Sequence, residues 1–314
     1  MQYRRLGDAG MKVSAVSFGG WINYGEGKVQ ADVARQIVIR AYEHGINYFD
    51  LADIYGRGEA EKQMGAVLKQ FPRHTLVIAT KVFWPMSEDV NDRGLSRKHI
   101  FESIDKSLTR LGTDYVDIYF CHRPDPDTPV EETVRAMHDL VTQGKVLYWG
   151  TSEWSGAQIA EALAVCEKYG LQKPKTEQPQ YSMLVRERVE TDVLPVTEAN
   201  GMGLVAWSPM AGGMLTGKYD DGVPEDSRFG REDWARDRYL NDSTAAQVRR
   251  LKPIADGLGI TRAQLALAWV LRQPGVSSAI TGATKVHQVD DTAAAGDVTL
   301  SEDVIREIEN VFNS

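Results

Sequence analysis

Short runs of β-branched and aromatic residues alternate along the chain with longer segments whose apolar residues recur at the helical period. The spacing between the first of these runs is close to the roughly 30 residues of a strand–helix–strand unit. Such regular alternation predicts a parallel α/β architecture. The predicted strands cover residues 16–19, 46–50, 76–80, 115–121, 146–151, 176–178, 204–208 and 276–281.

The segments between these runs carry helix start signals. A helix after Ser96 places the apolar residues at positions 100, 104, 108 and 111 on one face. Residues 128–131 (TPVE) predict a capping box with proline at the first helical position, and Ser155 with Gln158 predicts a second capping box. Later helices are predicted at residues 243–258, 261–272, 285–295 and 301–312.

Two architectures share this alternation, an open doubly wound sheet and a closed (β/α)8 barrel. The barrel is favoured because the strands number about eight, no linker divides the chain, and no glycine-rich turn follows the first strand. We therefore predict a single barrel domain over residues 1–314. The least regular stretch, residues 210–241, is long for a loop in a compact domain, which predicts a functional role.

Composition narrows the class of protein. Of 314 residues, 42% are hydrophobic, and 36 Lys and Arg against 44 Asp and Glu give a net charge of −8. Scattered positive charge on an acidic chain argues against nucleic acid as the main partner. The start, MQYRRLGDAG, has no apolar signal, and no stretch reaches the ~18 apolar residues of a membrane helix. The 2 cysteines fit a reducing compartment, so we expect a cytoplasmic protein with no membrane insertion.

Several common chemistries lack their motifs. The sequence has no GxxxxGK[ST] phosphate loop, no HExxH and no GxSxG. Its histidines and cysteines show no metal-ligand spacing, so no metal is expected. A GxGxxA match at residues 201–206 precedes a strand instead of joining a strand to a helix. We interpret it as the turn into that strand.

Four residues that can transfer protons fall at the carboxyl ends of predicted strands or just after them. They are Asp50, Tyr55, Lys81 and His122. Barrel enzymes hold their chemistry at this rim. Each residue also has a simpler interpretation, respectively a helix cap, a packing aromatic, a solvated lysine and a turn residue. Together they predict a proton-transfer site.

The chemistry of such a site is specific. A free tyrosine has a pKa of about 10, and a nearby ammonium lowers it, while a buried carboxylate keeps that lysine charged. Asp50, Lys81 and Tyr55 thus form a chain that tunes a phenol into a general acid. His122 can orient a substrate carbonyl. Reduction of that carbonyl also needs a hydride, which a nicotinamide supplies and side chains do not.

Seven longer segments carry a resemblance that spans about residues 3–312. They are residues 46–61 (INYFDLADIYGRGEAE), 78–84 (IATKVFW), 94–100 (GLSRKHI), 123–137 (RPDPDTPVEETVRAM), 148–155 (YWGTSEWS), 207–219 (WSPMAGGMLTGKY) and 275–284 (GVSSAITGAT). In these segments the chain resembles the aldo-keto reductase superfamily, specifically the branch that contains the β-subunits of voltage-gated potassium channels.

The resemblance implies a (β/α)8 TIM barrel with an N-terminal β-hairpin and an additional C-terminal helix, which binds NADPH or NADP+ without a Rossmann domain. It places the family's catalytic tetrad on Asp50, Tyr55, Lys81 and His122. It also implies an enzyme that reduces aldehydes or activated ketones to alcohols. In that reaction Tyr55 donates the proton while hydride passes from the nicotinamide to the carbonyl.

The resemblance further implies cofactor contacts along the barrel rim. Arg228 and Lys285 would add charge for a 2′-phosphate, and a helix that begins after residues 282–284 favours a phosphate at its N-terminus. The implied contacts are Gly20, Trp21, Asp50, Ser152 and Gln178 around the nicotinamide, Trp207 near its ring, Ser208, Pro209, Met210, Ala211 and Gly212 along the pyrophosphate, Lys218 and Arg228 on phosphates, and Gly282, Thr284, Gln288 and Asp291 at the adenosine end.

Three positions differ from the animal channel β-subunits. His122 stands where they carry Asn and restores the ordinary reductase tetrad. Glu153 stands where they carry Arg, which removes a positive contact near the cofactor. Gly212 stands where that branch tends to have Cys. Cys121 faces away from His122 along its strand and is predicted to lie in the core.

Three functions follow from these residues. The first is an NADPH-dependent carbonyl reductase acting on a small molecule, as a monomer or as a homo-oligomer that would be a tetramer by family analogy. The second is a regulatory, channel-associated subunit that binds NADPH as a redox sensor. The third is a barrel isomerase or lyase, which residues 207–219 and 275–284 disfavour. Four aromatic residues are candidates for the substrate wall or for core packing: Trp21, Tyr24, Trp84 and Trp154.

Overall fold

The predicted strands form a closed parallel barrel in the computed structural model, which describes residues 1–21 and 29–313. An antiparallel hairpin of β1 (Tyr3–Arg5) and β2 (Lys12–Ser14) precedes it. Each strand pairs with its neighbour in sequence, and the last pairs with the first to close the barrel. The barrel strands are β3 (Val16–Gly19), β4 (Tyr48–Asp50), β5 (Val77–Val82), β6 (Val116–Cys121), β7 (Val146–Ser152), β8 (Thr176–Gln178), β9 (Gly203–Ala206) and β10 (Val276–Thr281).

Helices follow the strands and cover the outside of the barrel. The final helix extends beyond the last strand–helix repeat, so the predicted (β/α)8 barrel with an N-terminal hairpin and an additional C-terminal helix is confirmed. The helices are α1 (Ala31–Glu43), α2 (Glu59–Leu68), α3 (Arg97–Leu111), α4 (Val130–Thr142), α5 (Gly156–Tyr169), α6 (Leu194–Ala199), α7 (Arg228–Arg231), α8 (Asp233–Tyr239), α9 (Asp242–Leu258), α10 (Arg262–Leu271), α11 (Val286–Ala294) and α12 (Glu302–Phe312).

Side chains alternate along each strand between the barrel interior and the layer beneath the helices. In β5, Val77 and Ala79 pack in the interior cluster, whereas Ile78 and Val82 pack in the larger cluster under the helices. Two residues beyond Ala79, Lys81 therefore falls on the interior side. The same alternation leaves Cys121 of β6 in the outer cluster, where it is fully buried, as predicted.

The hairpin closes the amino-terminal end of the barrel. Leu6 and Val13 are fully buried and join the interior cluster with Tyr48 and Val77, which lie at the starts of their strands. The turn between β1 and β2 needs glycine at position 7, where φ is +58° and a Cβ would stand 2.2 Å from the Gly201 carbonyl oxygen. This end of the barrel is therefore packed and apolar.

One of the two predicted capping boxes is absent. α4 begins at Val130 with Pro129 as its N-cap and no side-chain cap, so the capping box predicted at residues 128–131 is absent. The Thr128 hydroxyl instead donates to a carboxylate oxygen of Asp125 at 2.8 Å. The second capping box, at the start of α5, is confirmed.

Residues 210–241 are more regular than the sequence predicts. They contain a 3₁₀ turn (Ala211–Thr216) and the short helices α7 and α8. The rings of Tyr219 and Phe229 stack 4.1 Å apart with an angle of 7° between their planes. Because both rings are buried, this contact folds the stretch onto the barrel.

A helix needs about 20 predominantly apolar residues to cross a bilayer. Among residues 1–21 and 29–313, no single helix is long and apolar enough to cross a membrane. By length and composition alone, α9 and α10 meet the requirement together, as a pair bent by 89°.

Candidate active site

A fully buried lysine lies at the carboxyl end of the barrel interior. The Lys81 ammonium donates to Asp50 Oδ2 at 2.6 Å, to the Leu51 carbonyl oxygen at 2.6 Å and to the Tyr55 hydroxyl at 3.2 Å. An ammonium has three donors, and each has an acceptor here. β4 and β5 thereby bring three of the four predicted catalytic residues into direct contact.

The Asp50 carboxylate is held from two sides. Its second oxygen accepts a hydrogen bond of 2.9 Å from the side-chain amide of Gln178, at the end of β8 on the far side of the barrel. The Asp50 residue as a whole is 3% exposed. Two strands on opposite sides thus fix the carboxylate, and the carboxylate fixes Lys81.

The charge of Lys81 agrees with the sequence prediction. Burial lowers the pKa of Lys81, but the attraction of Asp50 and the phenol of Tyr55 outweigh it, so its pKa lies above the ordinary value. The pKa of Tyr55, by contrast, is raised and not lowered as the sequence analysis predicted. Burial raises the pKa of Tyr55 by more than Lys81 lowers it, so the phenol keeps its proton. A protonated phenol is the state that a proton donor requires.

His122 completes the group predicted from the strand ends. It directly follows β6, is 6% exposed, and its ring centroid lies 5.8 Å from that of Tyr55 and 6.3 Å from that of Trp84. Burial, together with Lys81 and Arg123, holds the pKa of His122 well below its ordinary value. Its Nδ1 is buried and has no hydrogen-bond partner among the described residues. The imidazole is therefore neutral near pH 7 and has an unused ring nitrogen.

Aromatic rings and one arginine cover the rim beside Tyr55. The ring centroid of Trp21 lies 6.4 Å from that of Tyr55 and 6.1 Å from that of Trp207. The Arg228 guanidinium lies 4.9 Å from the ring centroid of Trp21 and 5.3 Å from that of Trp234. Trp234 was not among the predicted residues, because its position depends on how α8 folds back over the rim.

Glu153 has a role that the sequence did not show. It has a left-handed backbone conformation with φ of +61°. Its Oε1 accepts from Trp207 Nε1 at 2.9 Å and from the Gln180 backbone amide at 2.6 Å, and its Oε2 accepts from Arg188 at 2.8 Å. Glu153 therefore anchors Trp207.

Three basic residues gather beside the rim, and they fit an anionic ligand. Burial, Arg228 and Arg231 all lower the pKa of Lys218. Burial also lowers the pKa of Arg228, whose Nε is buried and has no hydrogen-bond partner among the described residues. Like charges held together with an unused donor are typical of a site for a phosphate.

Residues 208–213 turn sharply between this basic group and β9. Ser208 and Ala211 have φ of +55° and +49°. Gly212 has φ of +66°, and a Cβ there would lie 3.1 Å from the ring of Phe229. A cysteine at position 212 would be strained in this conformation. Pro209 is buried, and Met210 is partly buried.

The predicted adenosine contacts gather at α11, where they also bond to protein groups. The Gln288 side-chain oxygen accepts from the Thr284 backbone amide at 2.8 Å. The Asp291 carboxylate accepts from the Thr261 hydroxyl at 2.9 Å and from the Gln264 amide at 3.0 Å. Gly282 is exposed just before the helix. Their contacts with a cofactor stay predictions.

Two further predicted contacts line the barrel beside Asp50. The Gly20 backbone amide donates to the Asp50 carbonyl oxygen at 2.9 Å. The Ser152 hydroxyl donates to the Gln178 carbonyl oxygen at 2.9 Å. Both residues are buried at the ends of their strands. They lie around the tetrad, and their role toward a nicotinamide stays a prediction.

Of the four candidates for the substrate wall, two lie beside the tetrad. Trp21 and Trp84 lie beside Tyr55 and His122 respectively, and Trp84 is 37% exposed. Trp154 is 2% exposed within the main hydrophobic cluster, so its placement in the substrate wall was wrong and the core alternative holds. Tyr24 lies outside the described residues.

Among residues 1–21 and 29–313, no group of three or more His, Cys, Asp or Glu side chains is placed to hold a metal. The arrangement at the rim instead joins a charged lysine to a protonated phenol beside a neutral imidazole. Such a set transfers a proton at a carbonyl oxygen. The fold and the site together define a (β/α)8-barrel protein with a candidate proton-transfer centre.

Comparison with known sequences identifies the family. Residues 15–313 match the profile of the Aldo/keto reductase family, so the chain belongs to that family, which supports an oxidoreductase role. It is 48% identical to an Arabidopsis thaliana protein named "Probable voltage-gated potassium channel subunit beta", over 100% of this chain and 97% of that protein. A protein of the same name from Oryza sativa subsp. japonica is 46% identical over the same shares.

Proposed function

We propose that this protein is an NADPH-dependent carbonyl reductase that converts aldehydes or activated ketones into alcohols. The observation that carries the proposal is the buried Lys81 ammonium, which bonds at once to Asp50 and to the Tyr55 hydroxyl. The family supports an oxidoreductase. The substrate partner is a small carbonyl compound that reaches the rim beside Tyr55 and His122.

The residues present fit NADPH, which supplies a hydride to the carbonyl carbon when it is bound. Lys218 and the unused Nε of Arg228 would hold phosphates, with residues 208–212 along the pyrophosphate. Gly20, Trp21, Ser152, Gln178 and Trp207 would surround the nicotinamide beside Asp50. The adenosine end would lie at Gly282, Thr284, Gln288 and Asp291.

Each tetrad residue has a distinct task in the proposed reaction. The protonated phenol of Tyr55 donates its proton to the carbonyl oxygen as negative charge develops there. The Lys81 ammonium, 3.2 Å from that hydroxyl, stabilises the phenolate that remains. Asp50 keeps Lys81 charged and in place. The neutral His122 orients the carbonyl by a hydrogen bond.

Binding and turnover test the proposal separately. Tryptophan fluorescence follows a titration with NADPH, because Trp21, Trp207 and Trp234 lie at the proposed site. We expect quenching at micromolar cofactor, and absorbance at 340 nm should fall when small aldehydes are added. No quenching would contradict the proposal, and so would tight binding without reduction of any aldehyde or ketone in a broad panel.

A second function has support in the names of the relatives. In it, the protein is a regulatory, channel-associated subunit that binds NADPH as a redox sensor, assembled as a homo-oligomer. His122, which completes the tetrad, favours turnover. Co-purification with a membrane channel, together with binding of NADPH but no turnover, would favour the regulatory function.

A further inference from the structure

Arg123 directly follows His122 and lies beside the tetrad. Its guanidinium donates to the His122 carbonyl oxygen and lies 3.5 Å from the Ser152 hydroxyl. It also lies 5.6 Å from the ring centroid of Trp84. Arg123 therefore occupies the rim between Ser152 and Trp84.

The positive charge of Arg123 is not neutralised locally. No carboxylate of residues 1–21 or 29–313 lies within 4 Å of its guanidinium. Glu153 attracts it from farther away, but both oxygens of Glu153 already accept hydrogen bonds, one of them in an ion pair with Arg188. Burial raises the pKa of Glu177, the next carboxyl, to about 8, so it is protonated near pH 7.

Arg123 also acts on the groups that would bind a carbonyl. It lowers the pKa of His122, after the larger effects of burial and Lys81. It opposes the rise that burial causes in the pKa of Tyr55. An arginine within electrostatic reach of both groups can bind one end of a small molecule while they bind its carbonyl. Its planar guanidinium suits a carboxylate, which it can bind with two parallel hydrogen bonds.

We propose that Arg123 is a specificity-determining residue that binds a carboxylate on the substrate, so that the site prefers aldehydes and ketones with an acidic group. The proposal rests on the proposed reductase function and names its substrate class. The carbonyl oxygen lies at Tyr55 and His122, the apolar body of the substrate packs on Trp84, and the acidic group pairs with Arg123. A merely structural Arg123 would cap the His122 carbonyl and show no such preference.

The test compares two carboxylate-bearing aldehydes with their methyl esters, which lack the negative charge and carry one more methyl group. Each of 3-formylbenzoate and 4-formylbenzoate is paired with its methyl ester, and NADPH consumption gives kcat/KM for all four compounds. The ester cannot form the charge-assisted hydrogen bond with Arg123, and this loss lowers kcat/KM by about tenfold or more. We expect at least one acid to exceed its ester by about that factor. Salt screens the pairing, so added KCl should reduce the preference.

Variants assign the preference to Arg123. Arg123→Met should lower kcat/KM for the preferred acid by about tenfold and change that of its ester by less than about threefold. Arg123→Lys keeps the charge without the planar fork and should fall between the two. The control is Arg97→Met, because Arg97 also lies over an aromatic ring, that of Phe101, but on the surface. It should leave both rates unchanged.

Several outcomes overturn the proposal. Equal rates for acids and esters in the unaltered protein do so, even if Arg123→Met fails to fold. An equal loss on acid and ester in Arg123→Met would assign Arg123 to positioning His122 alone. If the aldehyde group is reduced equally well in the acids and in the methyl esters, the substrate class is contradicted but the reductase function stays intact. Failure to reduce all four compounds and simple neutral aldehydes would contradict the reductase function itself.

Discussion

The two ends of the barrel interior are built from the same strands and differ in chemistry. At the amino-terminal end, Tyr48 and Val77 pack on Leu6 of the hairpin. At the other end, two and four residues further along β4 and β5, Asp50 and Lys81 form a buried ion pair. Each strand thus carries packing residues at its start and candidate catalytic residues a few positions later. In a barrel, the residues that serve stability and those that serve chemistry lie at opposite ends.

The charged end is stable because its groups satisfy one another. A buried ion pair costs desolvation energy, and it is tolerated when further hydrogen bonds use the remaining donors and acceptors. Lys81 has three acceptors, and each Asp50 oxygen has a donor. Tyr55 is therefore held through hydrogen bonds among β4, β5, β8 and the loop after β4, none of which involves the hairpin. Substitutions at the two ends should have separable effects.

The largest expected effect is on turnover, at the charged end. Tyr55→Phe removes the proposed proton donor and should lower kcat by about 10²- to 10⁴-fold, the usual contribution of a general acid. The free energy of unfolding should fall by about 1–3 kcal/mol, because one donor of the buried Lys81 loses its acceptor. Rates of NADPH consumption and urea unfolding measure the two effects. Tyr115→Phe, before β6, is the control, and equal activity of both variants would exclude Tyr55 as the acid.

The next effect is on stability, at the apolar end. Leu6→Ala leaves a cavity among fully buried side chains and should lower the free energy of unfolding by about 2–5 kcal/mol. Below the unfolding transition, kcat should be unchanged. Urea denaturation followed by circular dichroism measures the loss. A large fall in kcat of the folded variant would show that the two ends are coupled.

A third effect contrasts Asp50 with Glu177, a buried carboxyl on the outer face of the barrel that has no cation within 4 Å among residues 1–21 and 29–313. Burial raises the pKa of Glu177 from 4.5 to about 8, so the folded state holds a proton that the unfolded state releases above about pH 4.5. Folding stability should therefore fall as pH rises from about 4.5 to 8, by about 1.4 kcal/mol per unit. Between pH 5 and pH 7 this amounts to about 2–3 kcal/mol.

Glu177→Gln tests this sign, because glutamine cannot release a proton. Relative to the unaltered protein, the variant should gain stability as pH rises over that range. Thermal or urea unfolding at several pH values measures the difference. The exposed Glu161→Gln serves as the control. A stability difference that does not change with pH would show that Glu177 is ionised in the folded protein.

The smallest effect concerns the basic group at the rim. Lys218→Met removes a charge proposed to bind a phosphate and should weaken NADPH binding by about tenfold, or about 1.4 kcal/mol. The exposed Lys252→Met, paired only with Asp256, should leave the affinity unchanged. Fluorescence titration measures both. Equal affinities would place the phosphates elsewhere.

Regular features could be predicted from the sequence, and features that depend on loops could not. The eight barrel strands and the convergence of Asp50, Lys81 and His122 follow from alternation and strand ends, which are local properties. Thr128 was assigned to the wrong bond: its hydroxyl donates to Asp125 instead of accepting from a backbone amide of α4.

The remaining differences come from burial and from distant contacts. Trp154 was a candidate for the substrate wall, yet the bend after β7 turns it into the core. Neither Trp234 nor the contact of Glu153 with Trp207 could be predicted, because each depends on how a loop folds over the rim. The pKa of Tyr55 rises because of burial, which the order of residues does not reveal.

The most direct test of the proposed chemistry follows the hydrogen that reaches the carbonyl carbon. An aldehyde is incubated in ordinary water with the protein and NADPH that carries deuterium at both C4 positions of the nicotinamide, and the alcohol is analysed by mass spectrometry. We predict deuterium on the carbinol carbon, and none of this product above background with Tyr55→Phe over the same time. An alcohol without deuterium, or no alcohol from a protein that binds NADPH, would contradict reduction at the Asp50–Lys81–Tyr55 site.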